Sequence, residues 1–216
     1  MYILGNDPVF PKISETDAEG ILAIGGDLSP ERLINAYRNG IFPWYSEDEP
    51  IIWWSPDPRF VLFPQDLKVS KSMKQVMNTC KFEFRYNTSF EQVIKNCSII
   101  KREGQDGTWI HPEMIGAYIQ LHQKGYAVSA ECWRGDHLVG GLYGIRMGKI
   151  FFGESMFAHE SNASKFAFIS LVRKLEAEGL SLIDCQTYTD HLASLGARMI
   201  PRLLFCKLVE EGVEEK

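Results

Sequence analysis

Three apolar segments, Tyr126 to Trp133, His137 to Arg146 and Lys149 to Phe157, succeed one another with only Arg134-Gly135-Asp136 and Met147-Gly148 at their joins. Connections this short, each with a glycine, fit hairpin turns, so the segments are expected to run antiparallel as a meander. Asn162-Ala163-Ser164-Lys165 then opens a helical stretch to Glu178, with Gly179 placed to end it, and Leu180 to Gln186 returns as a strand. Strand, helix and strand in this order bring the last strand back parallel to its predecessor through a right-handed crossover. The fold class expected is therefore α/β (α+β) with a mixed sheet. Ligands in such sheets bind at the carboxyl ends of the strands.

Polar residues interrupt two of these strands near those ends. Asp184 and Gln186, two apart in Leu182-Ile183-Asp184-Cys185-Gln186, project from one face of a regular strand. Glu154 interrupts Ile150-Phe151-Phe152-Gly153-Glu154-Ser155-Met156-Phe157 in the same way. Buried carboxylates and carboxamides need partners, so the three mark a polar site between two strands. Taken singly, each is by default part of a buried ion network or a turn cap.

Upstream, Ser29-Pro30-Glu31 starts a helix that Gly40 closes. The chain from Ile41 to Arg59 carries three tryptophans and four prolines, and Ser55-Pro56-Asp57-Pro58 reads as a linker. A small N-terminal domain over 1–57 and a larger domain over 58–216 follow. Lys68, Lys71 and Lys74 recur every third residue and share a face if helical, which by itself means only a solvated surface. Further helices are expected from Ser89 to about Lys101 and from Pro112 to Lys124. The acidic tail from Glu210 reads as frayed.

Composition narrows the function. No apolar run approaches the roughly 20 residues that span a bilayer, and the N-terminus lacks the pattern of an export signal, so a cytoplasmic protein is expected. The net charge of −5 argues against indiscriminate nucleic-acid binding without excluding local basic patches. Five scattered cysteines form no Cys-x-x-Cys pair, and the histidines lack metal-site spacing, so neither a metal nor a cofactor is expected. Gly153-Glu154-Ser155-Met156-Phe157 lacks the second glycine of a nucleophile elbow. Trp44, Trp53, Trp54 and Trp109 lie in loop-like contexts, where a tryptophan is either packing or a face for a nucleobase.

Ordered motifs run from Gly20 to Arg202. They are Gly25-Gly26-Asp27-Leu28-Ser29-Pro30-Glu31-Arg32-Leu33, Gly40-Ile41-Phe42-Pro43-Trp44, Trp53-Trp54-Ser55-Pro56-Asp57-Pro58-Arg59 and Gly107-Thr108-Trp109-Ile110. Gly140-Gly141-Leu142-Tyr143-Gly144, the Glu154 and Asp184 segments, Asn162-Ala163-Ser164-Lys165, His191 and Ser194-Leu195-Gly196-Ala197 follow. With them the chain resembles the bacterial leucyl/phenylalanyl-tRNA:protein transferases. That resemblance implies a GNAT-like catalytic domain and transfer of leucine or phenylalanine, with methionine a further candidate, from its tRNA to proteins with N-terminal arginine or lysine, marking them for degradation. It implies that Trp44 and Trp109 hold the terminal adenosine, that Tyr118 frames the site, and that Leu142, Met156 and Ile183 surround the transferred side chain. Asp184 and Gln186 become the reacting pair, with Asp184 orienting the amine or accepting its proton. Glu154 pairs with the acceptor's cation. Lys68, Lys71, Lys74 and Lys165 face the tRNA, the last beside a helix N-terminus suited to a phosphate. A monomer is expected.

The chain departs from the family pattern at Lys71, where arginine is expected, at Gln75 and Asn78, where basic residues are, and at Thr189, where asparagine is. Ile183 faces away from Asp184 in a regular strand, so one shared pocket requires a bulge or a strand end. Two other functions compete: a coenzyme A-dependent acyltransferase, disfavoured because Ala158-His159-Glu160-Ser161 has no glycine to cradle a pyrophosphate, and an aromatic RNA-binding module, which leaves the three polar residues without a role.

Overall fold

A computed structural model describes residues 2–100 and 109–213. Strand β1 (Tyr2–Leu4) pairs parallel with β2 (Ile21–Gly25). Helix α1 (Pro30–Arg38) begins as its sequence demands, with Ser29 Oγ accepting from the Arg32 N–H at 3.4 Å and Pro30 in the first turn. Strands β3 (Phe42–Pro43) and β4 (Ile52–Trp54) complete a small sheet in the order β1-β2-β4-β3. Trp53 and Trp54 thus lie on a strand rather than in a loop. Period-two patterning could not reveal a three-residue strand crowded by prolines. Trp53 is wholly buried and donates Nε1–H to the Gly25 carbonyl at 2.9 Å, so it is core rather than a platform for a base.

The second sheet starts with β5 (Arg59–Leu62). Helix α2 (Lys71–Asn78), strand β6 (Glu83–Tyr86), helix α3 (Phe90–Ile99) and helix α4 (Pro112–Gln123) follow. Ser70 caps α2 by accepting from Met73 N–H at 3.2 Å, so Lys68 precedes the helix and does not share its face with Lys71 and Lys74. Helix α3 starts one residue after the expected Ser89. Its first turn is tethered by buried Glu131, which accepts from the Thr88 and Ser89 N–H groups at 2.8 Å each. The expected end of that helix at Lys101 lies outside the described residues, as do Gly107 and Thr108.

The expected meander forms as β7 (Ala127–Arg134), β8 (His137–Met147) and β9 (Ile150–Ala158), all antiparallel, with Gly135 and Gly148 at positive φ in the turns. Helix α5 (Ala163–Ala177) crosses over, and β10 (Leu182–Gln186) returns parallel to β9. Helix α6 (Asp190–Ser194), strand β11 (Arg198–Ile200) and helix α7 (Arg202–Gly212) end the description, so Glu210 and Glu211 are helical rather than frayed. The sheet order is β11-β5-β10-β9-β8-β7-β6.

Alternation along these strands divides the core. Tyr143, Ile145, Phe152 and Leu182 pack on the face covered by α1, α3, α4 and α7, while Leu142, Phe151 and Ile183 pack under α5. The expected break at residue 57 falls between the two sheets. The first apolar cluster nevertheless runs across it, from Leu22, Tyr37 and Trp53 to Phe152 and Phe205.

Candidate active site

Pairing between the parallel strands β9 and β10 stops at Asp184 opposite Phe152, although β9 continues to Ala158. Beyond that point the two strands part. Each is also irregular there. On β9, Tyr143 pairs with Ser155 and Gly144 with Gly153, which leaves Glu154 as the extra residue of a bulge. On β10 the register against β5 shifts between Asp184 and Gln186, and Gln186 takes φ +62°. These are the irregularities that a pocket shared by Ile183 and Asp184 requires.

Across the gap Gln186 Nε2 donates to Glu154 Oε1 at 2.9 Å. Tyr37 Oη also donates to Oε1 at 2.8 Å, Tyr118 Oη donates to Oε2 at 2.9 Å, and the two phenol oxygens touch one another. Proton counting constrains this ring. Its three O···O contacts need three protons and the phenols supply two; the third comes from a protonated Glu154, with one phenol then accepting from the carboxyl group and donating to the other phenol. Burial pushes the Glu154 carboxyl up to about 7, the phenol hydrogen bonds pull it back, and the nearby Asp184 charge adds to the rise. The carboxyl group lies deep in the wall, although the residue as a whole is only half-buried. Both phenols are held well above their ordinary range, first by burial and then by the Glu154 charge, so they remain neutral donors.

Asp184 is fully buried and committed. Arg59 Nε and Nη2 donate to its two oxygens at 2.8 and 2.7 Å, and the backbone N–H of Gln186 donates to Oδ1 at 2.9 Å. Around these groups opens a cleft of about 880 Å³. Trp44, Trp109, Leu142, Glu154, Met156, Ile183, Asp184 and Gln186 all line it. Trp44 is 42% exposed, and its carbonyl accepts from Trp54 Nε1 at 2.7 Å. Tyr118 stands behind Glu154 instead of lining the space.

Comparison with known proteins shows the family to which the chain belongs. Residues 61–210 match the family described as leucyl/phenylalanyl-tRNA protein transferase, and residues 26–57 match that family's N-terminal domain. The chain belongs to the leucyl/phenylalanyl-tRNA protein transferase family. It is 56% identical over 211 residues to the leucyl/phenylalanyl-tRNA–protein transferase of Christiangramia forsetii, covering 97% of this chain and 100% of that one. The enzyme of that name from Chromobacterium violaceum is 51% identical, with coverage of 97% and 91%. Among solved structures, a GCN5-related N-acetyltransferase from Kribbella flavida gives a TM-score of 0.38 at 11% identity, covering 83% of this chain and 63% of that one. A likeness that weak carries no argument, and the α/β class rests on the strand order itself.

The lysines stand apart from this cleft. Lys68, Lys71 and Lys74 are exposed outside its lining, and Lys165 lies in the first turn of α5, near enough for its charge to act on His191. That charge adds to burial in lowering the His191 pKa, so the imidazole is neutral at pH 7. Asn162 adopts φ +70° and makes no side-chain cap to α5. Thr189 lines the cleft and also caps α6, accepting from Leu192 N–H at 3.2 Å. Arg59 and Tyr37 were missed as site residues. Each sits in a recognisable segment, but nothing local signals a partner 125 or 117 residues away.

Proposed function

We propose that this aminoacyltransferase moves leucine, phenylalanine or methionine from its tRNA to the α-amine of a protein beginning with arginine or lysine, using the cleft between β9 and β10. Support comes chiefly from one observation: eight side chains drawn from five separate stretches of the chain converge on one cleft, the Glu154 and Asp184 carboxyl groups among them. Trp44 and Trp109 flank the terminal adenosine, where base stacking contributes about 1–3 kcal/mol. Leu142, Met156 and Ile183 receive the aliphatic or aromatic side chain, and Glu154, framed by Tyr118, receives the acceptor's cation. Lys68, Lys71, Lys74 and Lys165 meet tRNA phosphates. The protein works as a cytoplasmic monomer without metal or cofactor, through an N-terminal unit over 1–57 and a catalytic unit over 58–216, and its product is marked for degradation.

The reaction sets what these groups must do. The amine nitrogen attacks the ester carbonyl carbon, a C–N bond forms, and the C–O bond to the ribose breaks. The ribose oxygen leaves with the electron pair and takes up a proton released by the amine. An α-amine with pKa near 8 is about one-tenth neutral at pH 7, so deprotonation costs only about 1.4 kcal/mol. Placing amine and ester together therefore contributes more than a strong base does. Asp184, with its oxygens held by Arg59 and Gln186, is suited to placing rather than to accepting the proton. Gln186 gives Nε2 to Glu154, which leaves Oε1 to accept from the amine.

The test combines purified protein, leucyl- or phenylalanyl-tRNA and a peptide beginning with arginine. Mass spectrometry should find one added residue on that peptide and none on a counterpart beginning with alanine. No addition at any salt concentration overturns the proposal, and equal addition to both peptides overturns the role of Glu154.

A further inference from the structure

Arg59 is a fully enclosed charge beside the cleft, yet it does not line it. It stands on β5, which pairs with both β10 and β11, and its side chain is 0% exposed. Phe42 of β3 and Phe205 of α7 lie against the guanidinium, with centroids 4.7 and 4.5 Å from Cζ. Among the described residues Nη1 has no hydrogen-bond partner. Apolar residues of similar volume commonly replace a buried ion pair without loss of stability, so packing alone gives no reason for a charge here.

The hydrogen bonds from Asp184 onward supply one. Asp184 Oδ1 accepts from Arg59 Nε and also from the backbone N–H of Gln186. That bond holds Gln186 at φ +62°, a conformation non-glycine residues adopt rarely and at a cost. From this backbone the Gln186 carboxamide spans the gap to Glu154.

We infer that Arg59 is a positioning residue for aminoacyl transfer, which aligns the Gln186 carboxamide through Asp184 without touching either substrate. The inference rests on the transferase reading above. Its bidentate fork fixes the plane of the Asp184 carboxylate, which a lysine's point charge cannot do. Phe42 and Phe205 keep the fork from turning, so β3 and α7 both set the geometry of the β10 bulge.

Two variants and two readouts test this. Arg59→Lys keeps the charge but gives up the fork. It should fold, bind aminoacyl-tRNA as the parent does, keep the acceptor KM within about threefold, and lose kcat by about 10²-fold, the scale of a 1 Å misplacement. Arg59→Met combined with Asp184→Leu should melt near the parent temperature and still be slow; a parent-like kcat in either variant overturns the inference. NMR of Gln186 gives a readout independent of activity. Its backbone and side-chain N–H resonances should move in Arg59→Lys while that of Gly135, in a distant turn, does not, and unmoved Gln186 resonances overturn the inference. A parent protein that transfers nothing overturns the transferase reading instead, and leaves the NMR result to decide on Arg59.

Discussion

In the role proposed for it, Glu154 sits where folding and binding make opposite demands. Its phenol ring is complete with a proton on the carboxyl group, and an arriving cation is best met by a carboxylate. With a folded pKa of about 7 against roughly 4.3 in an unfolded chain, the folded state binds the extra proton. Stability therefore falls as pH rises from about 4.5 through 7, by roughly 3–4 kcal/mol once ionisation is complete. Glutamine at this position imitates the protonated acid, giving one N–H to the ring and accepting the other bonds. Glu154→Gln should melt higher than the parent at pH 8 and alike near pH 5, while transfer to an arginine-started peptide falls at least about 10²-fold. Calorimetry at the two pH values checks the first part, and a variant no more stable at pH 8 shows that the ring does not hold the proton. This is the trade between stability and activity expected where a site stores an unfavourable charge.

At the scale of elements, the site depends on two bulges that only the folded sheet reveals. Gly144 lies beside the bulge of β9, and a Cβ there would come within 2.2 Å of the Phe152 carbonyl oxygen and 2.5 Å of the Phe151 ring. Gly144→Ala must push β9 away and carry Glu154 with it, lowering stability by about 1–3 kcal/mol and abolishing most transfer. Gly116, inside α4, has nothing within 4 Å of its would-be Cβ. Gly116→Ala should raise stability by about 0.5–1 kcal/mol and leave transfer intact. Denaturant titration of both variants checks the pair, and equal effects would remove the bulge as the cause. The meander and the crossover helix were legible in sequence because alternation, glycine turns and caps are local signals, whereas Trp44, Trp109, Leu142, Met156 and Ile183 came as site residues only with the family resemblance. Glu154 and Gln186 were legible as polar breaks in apolar strands, but the bulges that aim them were not. A bulge is a mismatch between two registers, and one strand's sequence carries only its own. Arg59 and Tyr37 escaped for a related reason: a buried arginine and a core tyrosine look ordinary until the carboxylates they serve are placed beside them.

For the whole molecule, a net charge of −5 means that tRNA affinity cannot come from the general field and must come from local cations. Along α2 and the segment before it, Lys68, Lys71 and Lys74 are exposed, and in that stretch Asp66 is already engaged by Arg198 at 3.4 Å. Lys71 and Lys74 alone share the helix, so they form the pair most suited to adjacent phosphates of one strand. Each phosphate contact contributes roughly 0.7–0.9 to the slope of log affinity against log salt. The double variant Lys71→Ala/Lys74→Ala should therefore flatten that slope by about 1.4–1.8, weaken leucyl- and phenylalanyl-tRNA alike, and leave kcat at saturating tRNA unchanged. Lys207→Ala is the control, since Lys207 lies on α7 with Glu211 at 3.7 Å. Binding measured from 50 to 300 mM salt checks it. If the slope is the same in parent and double variant, the acceptor stem does not cross α2, and the tRNA is held by the α5 end of the sheet, through Lys165, instead.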